Sequence, residues 1–266
     1  YSNGRAFMSV VWRKVWRDLA DNRARTAMVV TAIGVGIVAL GLVFSLNETM
    51  GARLTAVHRA ARPAHVTVRG GPFDADIVDA IEHERGVHQA QGEIAVAIRW
   101  RFDEPTAEAP RGALPAWDDG ILIARADYES QEMDILQLVD GSWPGDRIPR
   151  THLHTLALDS LSADHFGASL GTVIEIDTEE RPSRASIQGA VYAPDVLSPT
   201  WGGAATFYAS PETAAALTNH PGPEHFNRLL LRLETFDPAS AEHTAERVED
   251  RLGRMGLTVD GYTVTD

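Results

Sequence analysis

Three short patterns in this sequence contain residue types that do chemistry. "GASLG", Gly167 to Gly171, matches the G-x-S-x-G of serine hydrolases. In those enzymes a strand enters the serine turn and a helix leaves it, which lifts the hydroxyl into the oxyanion site. Around Ser169 the order is reversed: a short helix is predicted over "SLSADHF" before it and a strand over "TVIEID" after it, so the nucleophile geometry is not expected. "HLH" places His152 and His154 on one side of a strand, as in zinc sites that recruit a third and fourth ligand. Asp159 and His165 are near in sequence, but the chain has ten histidines, scattered, with neither H-E-x-x-H nor a second tight pair. "NET" at Asn47 has the form of a glycosylation acceptor. No Walker-type loop and no G-x-G-x-x-G occurs, so nucleotide binding by a recognisable route is not expected. Cysteine is absent, which removes disulfides, thiolate metal sites and cysteine nucleophiles. The expectation is a non-enzymatic chain with no catalytic, cofactor or metal site of its own.

The elements that would position these residues begin with an apolar run. Thr26 to Leu46 has no charged side chain and is long enough to cross a hydrocarbon core as a helix. A cleaved signal would have a shorter apolar core and a small-residue cleavage site. A buried core helix would fit less well with Gly34, Gly36 and Gly41 and with apolarity on every side. Ala32 and Gly36, with Gly34 nearby, form a small-x-x-x-small pair that lets another helix approach closely. Arg13, Lys14, Arg17, Arg23 and Arg25 crowd the N-terminal flank, while Asn47 and Glu48 close the other. By the positive-inside rule the N-terminus is cytoplasmic and residues 47–266 are extracytoplasmic, at the cell membrane. The whole chain has a formal charge of −13. Because residues 1–25 are basic, the remainder is more acidic still, which argues against nucleic acid and against charge-driven docking on anionic lipid.

Before the span, Met8, Val11, Trp12, Val15, Trp16 and Leu19 share one helical face, away from Arg13, Lys14 and Arg17. That is the composition of a helix lying in the membrane interface. After the span the chain alternates strand and helix: "AHVTVRG", then a helix in "FDADIVDAIEHERG", then the long strand "GEIAVAIRWRF". A loop, "DEPTAEAPRGALPAWDDG", leads into short strands, "ILIA", "TLALD", "TVIEID" and "RASIQGAVYA". The last section returns to "TFYAS", a helix opening at Ser210-Pro211, "NRLLLRLE", a helix opening at Asp237-Pro238, and "LTVDGYTV". The organisation read from this is α+β. It has an interfacial helix over 1–25, a span over 26–46, a helix-on-sheet α/β part over 47–92 and 201–266, and a strand-rich subdomain inserted over 93–200.

Several of these pieces, in this order, resemble the MacB/FtsX-like family of ABC transporter permeases of the mechanotransmission type. The resemblance rests on "WRDLADNRARTAMVVTAIGVGIVAL", and on "LVDGSWPGD", which looks like the family's G-x-W-P turn with Gly141, Trp143 and Pro144. It rests also on "LALDSLSADHFGASLGTVIEI", "ASIQGAVYAP", "ATFYASPETAAAL" and "NRLLLRLE". The resemblance implies a non-catalytic membrane subunit that works with a second permease copy or homologue. A cytoplasmic ABC ATPase subunit would hold ATP and Mg. Trp12, Arg13, Trp16 and Arg17 would form the coupling helix, and Ala32, Gly34 and Gly36 would pack the span. The cargo would be a peptide, lipid, lipoprotein or drug. The family has further spans, so the chain from Tyr1 to Asp266 is expected to be a fragment covering the first span and outer domain. Two other readings share parts of this pattern. One is a single-pass anchored enzyme or receptor, using Ser169 or His152 and His154. The other is an FtsX-like regulator of cell-wall hydrolases.

Overall fold

The computed structural model describes residues 23–104, 115–145, 153–178 and 181–265. The chain divides into two compact units, residues 1–56 and 57–266. Helix α1 (Arg23–Ala60) is continuous over 38 residues. Within it, Arg23–Leu42 is long and apolar enough to cross a membrane, and none of that stretch is buried. Met28, Val30, Ile33, Val35, Ile37 and Leu40 all stand exposed, an arrangement suited to lipid or to another helix rather than to water.

The second unit holds the sheet structure. Strand β1 (Val66–Phe73), helix α2 (Ala75–Glu82) and the long strand β2 (Val87–Phe102) come first. Strand β9 (Phe226–Leu233), helix α5 (Pro238–Arg254) and strand β10 (Thr258–Val264) come last. They pair antiparallel in the order β10, β1, β9, β2, the split β-α-β pattern of a ferredoxin-like layer. Val66, Val68, Leu229, Leu231 and Leu233 meet Val78 and Ile81 of α2 and Ala241, Ala245, Val248 and Leu252 of α5. The helices start where the sequence supplies caps. Asp74 Oδ1 accepts from Ile77 N–H at 2.9 Å, and Asp237 Oδ2 accepts from Ser240 N–H at 3.0 Å ahead of Pro238.

Between β2 and β9 the chain builds a barrel. Its strands are the second half of β2, β3 (Asp118–Ala124), β5 (His154–Asp159), β6 (Val173–Ile176), β7 (Ser183–Tyr192) and β8 (Ala205–Ala209). Pairing runs β2–β3–β8–β5–β7–β6 and returns to β2 through Trp100 opposite Ile176, so the ring closes. Closure removes the free edges that an open sheet would expose. The interior holds Ile94, Ile98, Trp100, Leu122, Leu156 and Phe207, and Phe166, at the end of helix α3 (Ser160–Phe166), sets its ring edge-on to Trp100 at 5.0 Å. Strand β4 (Gln137–Gly141) lines up on β7 beside β6. The returning half was expected to open at residue 201. Instead β8 pairs with β3 and β5, and helix α4 (Pro211–Leu217) supplies Ala214 and Leu217 to the barrel core. The insertion therefore extends through α4, and the layer resumes at β9. Burial accompanies this placement: all five β8 residues are buried, and β3 and β5 flank the strand on both sides.

Candidate functional site

Strand β2 belongs to both sheets, and the site forms where it passes from one to the other. Val87 to Glu93 pair with β9, whereas Ile94 to Trp100 pair with β3. Gly92 stands at the crossing because a Cβ there would lie 2.2 Å from the Phe226 ring. Asn227 bridges the divergence: its Oδ1 accepts from Ala95 N–H at 2.7 Å and its Nδ2 donates to Ala95 O at 2.9 Å, standing in for a strand. The next side chain, Glu93, is completely buried.

A buried carboxylate needs charge partners and hydrogen bonds. Arg125, just past the end of β3 and itself buried, donates from Nε to Glu93 Oε1 at 2.7 Å. Arg228 brings its Nε to 3.3 Å from Glu93 Oε2. Arg125 also donates from Nη1 to the carbonyls of Asp134, at 2.8 Å, and Met133, at 3.3 Å. The guanidinium thus anchors the loop over 125–136 to the strand crossing. Burial alone would lower the Arg125 pKa, but the Glu93 charge and hydrogen bond outweigh it and the pKa is raised. The loop is held along its length. Tyr128 donates to Ala209 O at 2.8 Å, Gln131 Oε1 accepts from Leu136 N–H at 2.8 Å, and Asp127 Oδ1 accepts from Glu129 N–H at 2.7 Å.

What this loop holds is the segment that follows α1. Ile135 N–H donates to Ala61 O at 2.8 Å, Asp134 N–H donates to Arg62 O at 3.1 Å, and Ala64 N–H donates to Asp134 Oδ1 at 2.8 Å. Arg62 (φ 50°) and Asp134 (φ 45°) both sit in the left-handed region, the turn that lets the two segments exchange these bonds. Ala64 and Met133 then pack on Leu230, on the face of β9 turned away from the helices. His65 N–H donates to Leu231 O at 2.8 Å and opens β1. We call this arrangement the clamp. A cavity of about 290 Å³ lies beside it, with Glu93, Arg125, Asp134, Asp195, Tyr208 and Arg228 in its wall. Burial and the Asp195 charge raise the Asp134 pKa to about 6, against the opposing hydrogen bond from Ala64.

The residues singled out from sequence fall in three places. Trp12, Arg13, Trp16, Arg17 and His152 lie outside the described residues. Ala32, Gly34 and Gly36 lie on the exposed stretch of α1, with open space around both glycines. Gly141 ends β4, and Trp143 and Pro144 follow it. Gly141 has φ 76° and runs close against Gln188 O, Pro144 is buried, and Trp143 stacks on Tyr128 of the clamp loop at 5.4 Å. Ser169 is exposed between α3 and β6, its Oγ 3.4 Å from Thr172 Oγ1, so the helix precedes and the strand follows. His154 begins β5, His165 meets Thr200 Oγ1 at 3.1 Å, and Asp159 caps α3 through Ser162 N–H at 3.0 Å. Among the described residues no group of three or more His, Cys, Asp or Glu is arranged to hold a metal ion. Sequence reading passed over Glu93, Arg125, Asp134 and Arg228. The available signal was a charge inside or beside an apolar strand, Glu93 in "GEIAVAI" and Arg125 after "ILIA".

No protein-family model matches the sequence, and no curated protein is significantly similar to it. Solved structures are similar in fold. The extracellular domain of the noncanonic ABC-type transporter YknZ from Gram-positive bacteria aligns over 76% of this chain and 99% of its own, at 14% identity and a TM-score of 0.41. The periplasmic region of MacB from Actinobacillus actinomycetemcomitans covers 73% of this chain and 86% of its own, at 10% identity and TM-score 0.43. A domain of a permease protein from Porphyromonas gingivalis covers 76% and 91%, at 15% and 0.41. The likeness is one of fold.

Proposed function

We propose that this chain is a permease subunit of an ABC transporter of the mechanotransmission type. The observation that carries the reading is the clamp. A helix with an exposed apolar stretch continues without a break to Ala60, and three of the four residues after it, Ala61, Arg62 and Ala64, are bonded to a loop anchored at the crossing of both sheets. A partner ATPase, with its ATP and Mg, would bias α1 between two arrangements. The clamp would pass that bias to β2, and so to the layer and the barrel together. The order of motifs from Trp16 to Glu234 supports the same assignment, with Trp12, Arg13, Trp16 and Arg17 as the cytoplasmic coupling segment. The N-terminus lies in the cytoplasm and residues 47–266 outside, as the basic flank directs. A second permease copy or homologue meets the small-residue face at Ala32, Gly34 and Gly36. The cargo is a peptide, lipid, lipoprotein or drug moved by the outer domain, and no step requires a catalytic residue of this chain.

The test is purification of the native protein from membranes, followed by identification of what comes with it. A stoichiometric nucleotide-binding subunit carrying a Walker-type loop supports the proposal. Recovery without any ATPase, across detergents that preserve membrane complexes, overturns it.

A further inference from the structure

The clamp contains more negative than positive charge. Glu93 comes from β2, Arg125 and Asp134 from the loop after β3, Asp195 from the loop after β7, and Arg228 from β9. Tyr208 on β8 adds a phenol that burial, foremost, keeps protonated. The guanidinium of Arg125 is committed to Glu93 and to backbone carbonyls; it reaches Asp134 through that residue's carbonyl, not its carboxylate. Arg228 approaches Glu93 Oε2. The carboxylate of Asp134 is held through Oδ1 by the Ala64 N–H; it faces the charge of Asp195 and, less strongly, that of Glu93, with the Arg125 charge acting against them. Three carboxylates stand against two guanidiniums. A proton on Asp134 balances the set, and the neutral carboxyl still accepts from Ala64 through its carbonyl oxygen.

We propose that Asp134 is a proton-operated switch of the clamp: taking up a proton tightens the hold of the loop over 125–136 on residues 61–64, and losing it loosens that hold. The inference stands on the cluster geometry and does not depend on the transport reading. The raised pKa supports it and sets the working range. The stabilising share is complete below the unfolded value and is lost as pH rises through the folded value of about 6.

The test is amide hydrogen exchange on the full chain in detergent micelles at about pH 5 and about pH 7.5, each corrected for intrinsic exchange. The peptide containing Ala64 is compared with one from β9. The expected result is roughly tenfold greater protection at Ala64 on the acid side, with the β9 peptide changing much less. Asp134→Asn, neutral at all pH and still an acceptor, should be as protected as the acid wild type and flat with pH. Asp195→Asn removes one negative charge and should shrink the pH difference. Equal protection of the wild type at both pH values overturns the proposal, as does an equal change in both peptides. If Asp134→Asn fails to fold, Asp195→Asn decides: an undiminished tenfold difference in that variant overturns the proposal.

Discussion

At the scale of single residues, the clamp rests on Arg125. Its side chain is 5% exposed and joins Glu93, Met133 and Asp134. Replacing it by Met leaves Glu93 buried beside Arg228 alone, and removal of one partner from a buried pair costs about 3–5 kcal/mol. Chemical denaturation of Arg125→Met should show that loss, and an unchanged midpoint would mean the network contributes little. A paired Arg125→Met, Glu93→Leu replacement should recover much of it, because exchanging a whole buried pair for apolar side chains is close to neutral. Glu84 behaves oppositely to Asp134. The Arg251 hydrogen bond holds its carboxyl below its ordinary value of 4.5, so its contribution is present at neutral pH and fades as pH falls through the lowered value. Glu84→Gln should therefore flatten the acid limb of the stability curve and leave the region near pH 6 to Asp134.

At the scale of elements, Leu231 illustrates how the layer is held. It is fully buried between the sheet and its helices, so Leu231→Ala should cost about 2–5 kcal/mol in thermal or denaturant unfolding. The cap of α5 is smaller in effect: Asp237→Ala should cost about 1 kcal/mol. Most of these elements were legible beforehand, because their signals are local. Ser210-Pro211 and Asp237-Pro238 mark helix starts, and period-two alternation in "GEIAVAIRWRF" marks a strand. β4 was not legible: all five of its residues are exposed, so it shows no buried face, and the stretch read as part of a turn. Nor was the home of β8, since an all-buried strand shows no alternation to say which sheet will cover it. The clamp was hidden for a third reason. Glu93, Asp134 and Arg228 lie far apart in the chain and meet only after both sheets have formed, which no spacing rule can anticipate.

At the scale of the whole molecule, the absence of cysteine makes topology easy to read. A single Glu212→Cys, exposed in the first turn of α4, should react with a membrane-impermeant maleimide added to intact cells. Labelling only after the membrane is opened would reverse the orientation given above. The shared strand β2 has another consequence, for the order in which the chain can assemble. Val66 needs Leu231 on one side and Val264 on the other, whereas every barrel pairing closes between Ile94 and Ala209. Loop closure is therefore less demanding for the barrel, and the growing chain can complete it while β1 still waits for its neighbours. Until residues 258–264 arrive, β1 presents a bare hydrogen-bonding edge, the kind that recruits other chains. A nascent chain stalled just short of β10 should aggregate through that strand although its barrel is already sound.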